Sequence, residues 1–80
     1  AKPPEAILVS MADKLYNARA ILEDYRSIGE PLWPRFTTGR EGTLWYYRSM
    51  VDAFETFGHQ RLWGELSRTV AELENLVNMR

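Results

Sequence analysis

The chain predicts an all-α protein of about three helices. Three observations carry that expectation. Apolar residues recur at alternating steps of three and four in three separate stretches. The prolines, and every glycine but Gly64, fall before or between those stretches. No run alternates apolar and polar residues with the period of two that a half-buried strand needs.

The first helix is expected from the proline pair Pro3-Pro4 to about Ile28. Proline fixes a helix-compatible φ, and its missing N–H is not required in the first turn. The stripe Leu8, Met11, Leu15, Ala18, Leu22, Tyr25 forms one apolar side. Gly29 ends the helix. Residues 30–42 form a connector punctuated by Pro31, Pro34, Gly39 and Gly42. Pro34 forbids a long helix there, yet Leu32, Trp33 and Phe36 are too apolar for solvent, so the connector is expected to pack down, with one short helical turn.

The second helix is expected to begin between Thr38 and Thr43. Thr38-Gly39-Arg40-Glu41 has the spacing of a capping box. Its inner seam is Leu44, Tyr47, Val51 and Phe54, widened by Trp45 and Met50, and Gly58 ends it. The third helix runs from Gln60 to about Met79. Leu62, Leu66, Val70 (or Thr69), Leu73 and Val77 point inward, with Glu65, Arg68, Glu72 and Glu74 outside. Short links between helices of this length argue an antiparallel arrangement.

Composition sets limits on function. Eighty residues make one small domain at most or a piece of a larger one, and 45% hydrophobic with 26% charged is a globular balance. Ten aromatic side chains give large buried area for this length. Ten basic against eleven acidic residues leave a net charge of -1. That is no footprint for nucleic acid, and Glu41 and Asp52 dilute Arg35, Arg40 and Arg48. No apolar run approaches the roughly 20 residues that cross a bilayer, and no membrane association is expected. The absence of cysteine removes disulfides and thiolate metal sites and suits a reducing cytoplasm.

The back of the first helix departs from an ordinary solvated face. Asp13 and Asn17 lie four residues apart, about 40° from one another on the helix. Val9, Tyr16 and Ala20 flank them, so a carboxylate and an amide sit among apolar groups. Taken alone, the pair is what any amphipathic helix exposes to water. The string Ser10-Met11-Ala12-Asp13-Lys14-Leu15-Tyr16-Asn17-Ala18-Arg19, however, resembles the last metal-binding motif of the HD-superfamily phosphohydrolases. Among these it is most similar to the guanosine-tetraphosphate (ppGpp) hydrolases and their animal relatives. The later Glu41-Gly42-Thr43-Leu44-Trp45-Tyr46-Tyr47-Arg48 resembles a segment of bacterial HD-domain proteins. The resemblance covers roughly the first two thirds of the chain.

The resemblance implies a role for each motif position. Asp13 matches the final metal-ligating aspartate, and Asn17 matches the residue that faces the nucleotide. The cofactor implied is a divalent metal, manganese above all, which polarises a phosphoryl oxygen and activates a water. The substrate implied is a nucleotide or related phosphoester.

The family's site also needs an upstream histidine and an adjacent His-Asp pair. This chain has one histidine, His59, which follows Asp13, and it has no His-Asp dipeptide. Ala20 stands where the family often carries a polar nucleotide-contacting residue. The resemblance therefore implies the C-terminal portion of an HD domain-like helical fold, with the N-terminal histidine-bearing helices elsewhere. Such a piece is expected to bind no metal and to turn over no substrate alone. Tyr46, Tyr47 and Arg48 are further candidates for a nucleotide pocket, against a core reading for Tyr47. Lys14 and Arg19 read as solvated helix charges or as ion pairs with neighbours such as Glu23, and His59 as a capping or surface residue. The second functional class is a non-enzymatic helical module, self-associating through the uncovered apolar groups around Val9 and Tyr16.

Overall fold

The computed structural model describes residues 5–57 and 60–79. It is all-α: α1 spans Glu5–Ile28, a 3₁₀ turn spans Glu30–Arg35, α2 spans Gly39–Glu55 and α3 spans Gln60–Asn78. Among the described residues there is no strand. Pro3 and Pro4, expected to start the first helix, Gly58, expected to end the second, and His59 lie outside the described residues; α2 already ends at Glu55.

Two ion pairs fix how α1 meets α3. Arg19 reaches Glu65 at 3.5 Å, and Arg26 reaches Glu72. Both pairs join residues 46 apart in sequence, so the two helices run in the same direction. Between α2 and α3 the order reverses: Arg48 pairs with Glu74, and the Trp63 indole donates to the Val51 carbonyl at 2.8 Å. The bundle is thus up–down–up, antiparallel between chain neighbours. Its 42 × 22 × 17 Å extents follow from α1, whose 24 residues span about 36 Å at the helical rise.

The core is built from one face of each helix. Met11, Leu15, Ala18, Ile21, Leu22 and Tyr25 are buried on α1, and Leu66, Val70, Leu73 and Val77 on α3. On α2 the buried residues are Thr43, Tyr47, Val51 and Phe54. Leu8, Leu44 and Leu62 are half-buried, at the margins of the stripes that contain them. Trp45 does not widen the α2 seam: it is 70% exposed. Two residues before Tyr47, it lies about 200° round the helix, on the side away from the core.

The connector packs down as its apolar residues require. Gly29 closes α1 with φ 69, a backbone region open to glycine, and its N–H bonds to the Tyr25 carbonyl at 2.8 Å. Leu32 and Trp33 are buried, and Trp33 stacks at a tilt between Tyr25 (5.5 Å) and Phe36 (6.1 Å). Glu30 gathers three elements: it accepts from the Tyr25 hydroxyl at 2.6 Å and the Trp33 indole at 3.3 Å, and it faces Arg40 at 3.9 Å.

The capping box expected at Thr38 is not formed. Thr38 precedes α2 in a helical conformation without a side-chain cap, and its hydroxyl instead meets that of Thr43 at 3.1 Å. Glu41 turns to Arg40. Thr38 lies so close over Gly42 that a Cβ there would fall 2.5 Å from the Thr38 Cβ, which accounts for glycine at that position.

Candidate functional site

Helical geometry alone brings Asp13 and Asn17 together. The Asn17 amide donates to Asp13 Oδ2 across 3.4 Å, one turn along α1. The Lys14 ammonium approaches the same oxygen, also at 3.4 Å. Both contacts are long and weak, and Oδ1 makes no hydrogen bond to a described residue. The Asp13 side chain is 59% exposed. A carboxylate held this loosely can accept a new partner at little cost.

The surroundings of Asp13 divide into a closed side and an open one. On the closed side Lys14 bridges toward α2. Its pKa lies above the ordinary lysine value, first through the neighbouring Tyr46 hydroxyl of α2, against desolvation, and then through Asp13. Tyr46 in turn meets Tyr47 edge-on at 5.2 Å. Burial, its largest influence, raises the Tyr47 phenol, with Tyr46 and Asp13 adding to the rise and Lys14 opposing it. Asp13, Lys14, Asn17, Tyr46 and Tyr47 therefore form one cluster where α1 meets α2. On the open side Val9 is 63% and Tyr16 74% exposed, with Ala20 beside them.

The remaining sequence candidates separate cleanly. Tyr47 is core. Arg48 is committed to Glu74 by a two-pronged contact, Nε to Oε2 at 3.1 Å and the terminal amino group to Oε1 at 2.6 Å. That carboxylate raises the Arg48 pKa, against desolvation. Arg19 pairs with Glu65 across the helix interface and not with Glu23, which binds Arg26. The bridge from Lys14 to Tyr46 has no counterpart in the local sequence pattern. Its only signal is that Tyr46 sits about 100° round from the Tyr47 seam.

A divalent ion needs several anionic or imidazole donors at fixed geometry. Among the described residues no three histidine, cysteine or acidic side chains stand close enough to hold one. Asp13 offers one carboxylate toward such a site. Among the described residues no helix is long and apolar enough to cross a membrane. Comparison with protein families, with curated proteins and with solved structures returns no match.

Proposed function

We propose that this chain is part of a cytoplasmic HD-type, metal-dependent phosphohydrolase acting on a nucleotide or related phosphoester. In this reading Asp13 supplies one ligand to a divalent ion, manganese foremost, whose other ligands come from polypeptide outside these eighty residues. Asn17 faces the substrate, where its amide can both donate to and accept from a sugar hydroxyl or base edge. The observation that carries the reading is the pairing of Asp13 with Asn17 beside an uncovered apolar face.

The test is hydrolysis by the parent polypeptide with manganese, comparing wild type with Asp13→Ala. Removing a metal ligand is expected to lower activity by at least about 100-fold. Equal activity removes Asp13 from the mechanism. The parent must also carry a histidine and an adjacent His-Asp pair. A parent without them favours the second reading, a non-enzymatic helical interaction module, which the exposure of Val9 and Tyr16 supports.

A further inference from the structure

We draw no further inference here: the strongest candidate, the exposed apolar face of α1 along Val9, Ala12, Tyr16 and Ala20, carries nothing because nothing in the structure shows what covers it.

Discussion

Replacing Arg48 with glutamine tests whether this arginine holds the bundle together or is available to a phosphate. Its guanidinium grips Glu74 through two hydrogen bonds, with 39% of the arginine and 27% of the glutamate side chain exposed. Fully exposed ion pairs contribute about 0.2–1 kcal/mol, and a two-pronged, half-covered pair belongs at the top of that range. Arg48→Gln should therefore cost about 1 kcal/mol, which for a domain this small lowers Tm by about 4–8 °C. A double-mutant cycle with Glu74→Gln isolates the pair: most of that ~1 kcal/mol should appear as coupling energy, falling in high salt. The more exposed Arg40–Glu41 pair, at 3.5 Å, is the control and should couple by less than ~0.5 kcal/mol. Zero coupling between Arg48 and Glu74, with Tm unchanged, would refute the structural assignment and return Arg48 to the set of ligand-binding candidates.

Leu66 is fully buried where α3 meets the rest of the bundle. Leu66→Ala should cost about 2–5 kcal/mol, read as a shift of the urea midpoint, while Trp45→Ser should stay within about 0.5 kcal/mol. The reverse order would mean that the second helix is rotated. Alkaline stability provides a separate check through Tyr47, whose folded pKa is raised above the ordinary 10.0, chiefly by burial. A raised folded pKa means that the protonated phenol is favoured in the fold. Its stabilisation is complete below about pH 10 and is lost as pH climbs through the folded value. Tyr47→Phe cannot ionise, so its urea midpoint should fall less between pH 9 and pH 11 than that of wild type. Identical pH profiles would place Tyr47 outside the core. Lys14 is raised in the same direction and leaves a residual alkaline slope in the variant.

The fold was legible wherever one face of a helix meets a single core. On α3 the stripe Leu66, Val70, Leu73, Val77 is buried as spaced, with Arg61, Arg68, Glu72 and Asn75 exposed on the other side. Gly29 marks the start of the connector and Pro34 limits its helix to one short turn, because their backbone chemistry acts locally. Errors arose where size stood in for direction. Trp45 is large and apolar, yet its place opposite Tyr47 keeps it in solvent. Thr43 is polar and so went unread, but it is buried four residues before Tyr47 with its hydroxyl satisfied by Thr38. Ile21 was absent from the α1 stripe because α1 contacts the connector as well as α3, which broadens its buried face beyond a strict three–four pattern. At the candidate site, the approach of Asn17 to Asp13 follows from i,i+4 spacing and needed no tertiary information. The link from Lys14 to Tyr46 depends on how α1 and α2 lie against each other, which no local pattern encodes.

The four sides of α1 together locate the surface that function must use. One side, Met11 through Tyr25, is consumed by the core. A second, through Arg19 and Arg26, is tied to α3 by ion pairs, and a third, through Lys14, is tied to α2. The fourth side, Val9, Ala12, Tyr16 and Ala20, is exposed and apolar, with Asp13 and Asp24 along one flank and Arg19 along the other. A helix needing only solubility there would carry lysine or glutamate in place of Val9 and Tyr16. Asp13 stands at the edge of that side, within reach of Asn17 and Lys14 and open to a further partner. Whether that partner is a cation or the flank of another helix, it must approach over the same seam. Tyr16→Asp and Asp13→Ala therefore separate the hydrolase reading from the interaction-module reading: the first removes the apolar contact, and the second removes the charge without closing the face.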